Sequence, residues 1–191
     1  MSIDLNQLQS DFQSAFNQLL ISCDAQNIQM SPYFGIRNPL EQARLWRQSR
    51  NSTEINSKIA ELRSKGAAFL ADCIELVGPQ HGKPVTNAIP GLSWHQWGEA
   101  VDSVWVVNGR SEWSASKKID GKNGYQVYAA EAEKLGLTAG GLWKSLKDWP
   151  HVQLRKASSP LAFFKIQQIN ERMKELYSSH FSDIESSVST L

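Results

Sequence analysis

Between Ala100 and Val107 the chain reads Ala-Val-Asp-Ser-Val-Trp-Val-Val, a run with the branched and aromatic residues of a buried strand and an aspartate inside it. Strand alternation puts Asp102 on one face with Ala100, Val104 and Val106. An ionised carboxylate on such a face costs on the order of several kcal/mol unless something pairs with it. The fold must therefore bring a cation to Asp102, either an arginine or a metal ion. The nearest imidazole, His95, would fall on the opposite face of an unbroken strand, but Gly98 between them lets the backbone turn.

Around this run the pattern is mostly helical. Leu5, Leu8, Phe12, Phe16 and Leu19 recur at helical spacing and predict an opening amphipathic helix. Asn38, Pro39 and Glu41 have the residue types of an N-cap, first turn and capping box, so a second helix starts there. A third pattern runs from about Thr53 to Ile74, with Gly66 as a point of interruption and Gly78-Pro79 as its stop. The segment from Gly78 to Gly91 is rich in glycine and proline and reads as an irregular loop, as does the polar stretch after Val107. Tyr125 to Leu135 is helical and ends at Gly136. His151 to Leu154 alternates as a short strand entered through Pro150. A last amphipathic pattern carries Leu161, Phe164, Ile169, Met173 and Leu176. Helices on either side of a few central strands give an α+β class, with helices around a small, mostly antiparallel sheet.

Composition narrows the partners. With 20 basic against 19 acidic residues and no dense basic block, neither nucleic acid nor an anionic membrane is expected. No stretch approaches the roughly 18 apolar residues of a membrane span, and the start lacks a signal-peptide pattern. The expectation is a monomer made in the cytoplasm, without integral membrane association. Cys23 and Cys73 form no CxxC pair and read as buried free thiols.

A second polar cluster, Lys147-Asp148-Trp149-Pro150-His151, adds a histidine and a carboxylate. Two imidazoles and one carboxylate form the donor set that zinc uses in catalytic sites, with a further position left for water. Here the motifs converge on one resemblance. Ser93 to Asp102, SWHQWGEAVD, resembles the SxHxxGxAxD motif of the zinc D-Ala-D-Ala carboxypeptidase family, and Asp148 to His151, DWPH, its (D/E)xxH motif. That family includes vancomycin-resistance D,D-peptidases and the L-alanyl-D-glutamate endopeptidases of phage endolysins, and its fold is shared with the Hedgehog signalling domain. GIRNPLEQARLW, VTNAIPGLSWH and GLTAGGLWKSLKDWPH are similar to further family segments.

The resemblance implies one zinc ion per chain held by His95, Asp102 and His151, with Asp148 as general base and Arg37 steadying the oxyanion. Ser93, Trp94, Gln42 and Trp143 are the substrate-side candidates, and Gln42 is also expected to support the loop that holds Arg37. It implies a catalytic domain over 30–155, flanked by helical extensions at 1–29 and 156–191. The substrate is the peptidoglycan stem peptide, cut between L-Ala and D-Glu as in endolysins. Such an enzyme reaches the cell wall after release, during phage or prophage lysis. A D-Ala-D-Ala carboxypeptidase is the nearest alternative, and a non-catalytic zinc-containing wall-binding module the alternative of a different class. The chain departs from the family pattern at Glu99, where an apolar residue is common and a solvated side chain is expected here. It departs again at Tyr33 to Arg37, and at Ser103, where an aromatic is frequent.

Overall fold

The structure, a computed structural model, describes residues 3–188, with side-chain surroundings through residue 178, so His180 lies outside the described side chains. In chain order the elements are α1 (Ser10–Asp24), β1 (Gln29–Phe34), α2 (Pro39–Arg47), α3 (Ser52–Ser64), α4 (Ala68–Leu76), β2 (Ala100–Val107), β3 (Arg110–Glu112), α5 (Gly124–Lys134), β4 (Thr138–Ala139), β5 (His151–Gln153) and α6 (Ile166–Val188). The α+β class read from the sequence holds. The chain forms two compact units, one of Met1–Ile36 with Trp97–Lys156, the other of Arg37–Gln96 with Ala157–Leu191.

The first unit holds the sheet, whose strands run in the order β1-β2-β5-β4 with β3 also paired to β2, every pairing antiparallel. One face of the sheet is its core. Val101, Trp105, Ala139 and Val152 pack there with Phe12, Phe16, Leu19 and Cys23 of α1 and Tyr125, Tyr128, Ala129 and Ala132 of α5. Each large side chain buried there contributes about 1.5–3 kcal/mol. Cys23 is free and its thiol is pushed up to about 12, first by burial and then by the charge of Glu131.

The opening helix begins at Ser10 rather than Leu5, because a separate 3-10 turn, capped by Asp4, occupies Leu5–Gln7. Ser31 and Pro32 are residues of turn chemistry, yet they sit within a strand, β1. It lies at the sheet edge, where a missing N–H is tolerated, and the register shifts between Pro32 and Phe34. The two-residue β4 is too short to show periodicity.

The second unit is helical. α2 starts with the capping box that Asn38 and Glu41 predicted, and α3 has a second one from Asn51 and Glu54. The single long pattern from Thr53 to Ile74 is two helices, divided where Gly66 takes φ +73°. α4 has no side-chain cap from its own N-terminus. Asn170 of α6 supplies one, accepting from the Leu70 N–H at 3.2 Å. Ile169, Met173 and Tyr177 of α6 are buried, so the start of the C-terminal helix is part of this unit's packing. No helix among the described residues is long and apolar enough to cross a membrane.

Candidate metal centre

The face of the sheet opposite the core carries the chemistry. In the β2–β5 ladder Val101 pairs with Val152 on the core side, so Asp102 and its partner His151 emerge together on the other side. His151 Nδ1 and Asp102 Oδ1 are 3.0 Å apart. Register thus answers the demand that Asp102 made of the fold. Two residues along β5, and therefore on the same face, Gln153 presents Oε1 to His151 Nε2 at 3.0 Å. The Gln153 amide is itself oriented, since its Nε2 donates to the Arg155 carbonyl at 2.5 Å. Because Gln153 Oε1 accepts, Nε2 carries a proton; the neutral ring then has its lone pair on Nδ1, the nitrogen beside Asp102, whereas in the protonated ring both nitrogens donate.

His95 stands on the 3-10 turn Trp94–Trp97, just before Gly98, whose φ of +69° gives the reversal expected at that residue. A side chain at Gly98 would also press on the Gln9 backbone nitrogen, 3.1 Å away. One ligand atom from each of His95, Asp102 and His151 lies within 4.8 Å of the others, with both histidines buried and the aspartate half-buried. Ligand atoms at about 2.0–2.2 Å from a common tetrahedral ion stand about 3.4 Å apart. The 3.0 Å edge and the 4.8 Å ceiling bracket that spacing, so two nitrogens and one oxygen here fit a zinc ion.

Burial alone would lower the pKa of His151, but the hydrogen bond and charge of Asp102, with help from Gln153 and Asp148, raise it above the ordinary 6.5. The site attracts positive charge.

Asp148 is exposed, on a tight turn into β5 in which its carbonyl accepts from the His151 N–H at 3.2 Å. Two glycines make room for this turn. A Cβ on Gly140 would lie 2.4 Å from the Asp148 carbonyl oxygen and 3.1 Å from the His151 Cβ, and one on Gly141 would meet the Trp149 ring at 2.3 Å. The Trp143 ring packs 5.3 Å from that of His151.

Arg37 is half-buried, and its backbone N–H donates to the His95 carbonyl at 3.4 Å. Its guanidinium Nη1 donates to Gln42 Oε1 at 3.0 Å, while Gln42 Nε2 donates to the Ala88 carbonyl at 2.7 Å. Gln42 is fully buried and ties Arg37 to the loop before His95, the supporting part expected of it. Trp94 is buried too, its indole donating to the Ala157 carbonyl, and the Ser93 carbonyl accepts from the Gln96 N–H.

Glu99 differs from its expected solvated placement. It is buried and takes a two-pronged guanidinium from Arg155, at 2.6 and 2.9 Å, because a carboxylate at the start of a buried strand needs such a partner. Ser103, where an aromatic is frequent in the family, points to the core and shares a hydrogen bond with the Tyr128 hydroxyl at 3.1 Å. The sequence reading missed Gln153, although its two-residue spacing from His151 in an alternating strand was a usable signal.

Residues 86–154 match the family model described as D-alanyl-D-alanine carboxypeptidase. Among solved structures, the chain is similar to the L-Ala D-Glu endopeptidase ChiX of Serratia marcescens, at 18% identity over 79% of this chain and 83% of that one, with a TM-score of 0.44. It is also similar to a Zn(II) complex of a mutant vancomycin-resistance D,D-pentapeptidase, VanY from a VanB-type cassette. That likeness is at 16% identity over 76% of this chain and 71% of that one, with a TM-score of 0.43. The family segment spans His95, Asp102, Asp148 and His151 and bears out the resemblance drawn from the motifs.

Proposed function

We propose, from the premise that residues 86–154 are those of a zinc peptidase family acting on peptidoglycan, that this chain hydrolyses the stem peptide between L-Ala and D-Glu. The observation that carries the reading is the meeting of His95, Asp102 and His151 beside a turn that presents Asp148. His95, Asp102 and His151 hold the ion. Zinc supplies Lewis acidity, which acidifies water and polarises a carbonyl.

The remaining parts belong to the protein. The Asp148 carboxylate takes a proton from the attacking water and returns it to the departing amine. Its exposure suits a group that must meet both. Arg37 faces the negative charge that develops on the carbonyl oxygen, and the buried Gln42 amide keeps its guanidinium in place. Gln153 holds His151 in the tautomer that leaves Nδ1 free. Trp143 forms part of the wall against which the peptide lies. The choice of the L-Ala–D-Glu bond rests on the resemblance to the endolysin members of the family, and with it the proposal that the enzyme acts in phage or prophage lysis.

Digestion of purified sacculi, followed by mass spectrometry, tests the whole reading. New N-terminal D-Glu is the expected product. Loss of terminal D-Ala would reassign the bond to a D,D-carboxypeptidase. Absence of any product from the zinc-loaded protein would leave a binding module. Activity that survived a chelator would overturn the metal mechanism itself.

A further inference from the structure

His95 rests on a 3-10 turn of four residues, an element too short to fix its own position. Contacts on both sides of the histidine fix it from outside. Ahead of it, Gly91 takes φ +85° and approaches α6 so closely that a Cβ there would lie 2.6 Å from Ile169 Cγ2. Ile169 is fully buried and β-branched, with little freedom to move aside. The Gly91 N–H donates to Gln96 Oε1 at 2.8 Å, closing the segment into a loop. Trp94, immediately before His95, donates its indole N–H to the Ala157 carbonyl at 2.7 Å and meets the Phe163 ring edge-on at 6.1 Å. Immediately after His95, the Gln96 carbonyl accepts from the buried Tyr177 hydroxyl at 2.8 Å.

We infer that the C-terminal segment from Ala157 to Tyr177 is a clamp that positions His95 for the metal, with Tyr177 and Trp94 as its positioning residues. The groups that grip the turn from outside, at Ala157, Phe163, Ile169 and Tyr177, all lie beyond residue 154, where the family match ends. The inference rests on His95 being a zinc ligand. Its physical content is preorganisation: a turn already held in place gives up little conformational freedom when its imidazole takes the ion. A loosened turn must be ordered by the metal, which weakens binding.

Tyr177→Phe removes one hydroxyl and keeps the ring. In the full-length protein we expect zinc affinity, measured by competition with a chromophoric chelator, to fall roughly fivefold, the factor that one net hydrogen bond represents. The visible spectrum of the cobalt-substituted protein, which reports the ligand field at the ion, should change with it. Ile74→Val is the control: it trims a fully buried side chain of the same unit, a loss of stability comparable to that of one hydrogen bond, and should leave both readouts unchanged. Trp94→Phe, which keeps an aromatic against Phe163 but loses the indole donor, should repeat the Tyr177 result. Unaltered affinity and spectrum in both the Tyr177 and Trp94 variants would overturn the clamp. Equal losses in Ile74→Val would reduce it to general stability. A wild-type protein that binds neither zinc nor cobalt would instead remove the metal assignment on which it depends.

Discussion

Asp102 and His151 owe their places to strand register, whereas His95 owes its place to a short turn held by a remote helix. The first pair are direct partners in the β2–β5 ladder, so backbone hydrogen bonds set which side chains meet and on which face. The turn around His95 has no ladder, and its geometry is borrowed from Ile169, Ala157 and Tyr177. Ligands set by register resist small losses, because slipping one residue would turn the whole strand inside out. Under the proposed clamp, a ligand on a borrowed turn is loosened by the loss of one distant hydroxyl.

The largest effect should come from a change that disturbs neither kind of support. Asp148 lies on the turn into β5, outside the three proposed ligands. Asp148→Ala is expected to lower peptide release about 10²–10⁴-fold, the usual worth of a general base. Zinc content, measured by elemental analysis, should stay at the wild-type level. If zinc is lost along with activity, Asp148 supports the ion and is not a separate base.

The next effect tests the register-held side. Gln153→Ala removes the acceptor that fixes the His151 tautomer, and losses of this kind cost about 10–100-fold in metal affinity. Gln153→Glu keeps an acceptor oxygen at the same reach but loses the donor to the Arg155 carbonyl, so it should recover only part of that loss. Chelator competition on the two variants decides it. A loss in Gln153→Ala no larger than that in Tyr177→Phe would make the two kinds of support equivalent and erase the comparison.

The legibility of the sequence follows the same division. Asp102, His151 and their strands were readable because alternation and apolar content are local signals, and Asn38 with Glu41 announced α2 for the same reason. The link from α6 to the His95 turn was not readable. Tyr177 and Gln96 lie 81 positions apart, and nothing in either neighbourhood signals the other. Glu99 failed for a related reason, since its partner Arg155 arrives only when β2 and β5 pair. β1 was hidden by Pro32, which an edge strand accepts but an interior one would not.

The effect of pH comes next, and its sign differs between the two states of the protein. In metal-free protein the pKa of His151 is raised above 6.5, chiefly by Asp102 acting against burial. A raised pKa means that the protonated pair stabilises the fold fully below the unfolded value of 6.5, and that this contribution is lost as pH climbs through the folded value. Zinc requires the unprotonated ring, so its affinity should fall by about tenfold per pH unit once pH drops below the raised value. Thermal melts with and without zinc check both signs. The stabilisation given by zinc should shrink on acidification, while metal-free protein should lose the His151–Asp102 contribution on the alkaline side.

The smallest effect is the finest test of register. Ser103 follows Asp102 directly, so strand alternation turns it to the opposite face, where it bonds Tyr128 in the core. Ser103→Ala should cost about 1–3 kcal/mol of folding stability in a denaturant melt, because the buried Tyr128 hydroxyl loses this partner. It should leave zinc affinity unchanged, since the side chain it removes lies on the other face from the metal. A neighbour of a ligand that alters stability but not the ion is what a correctly registered strand requires. If Ser103→Ala weakened zinc as much as Gln153→Ala does, the two faces of β2 would not be separate, and the account of why a carboxylate sits in this strand would fail.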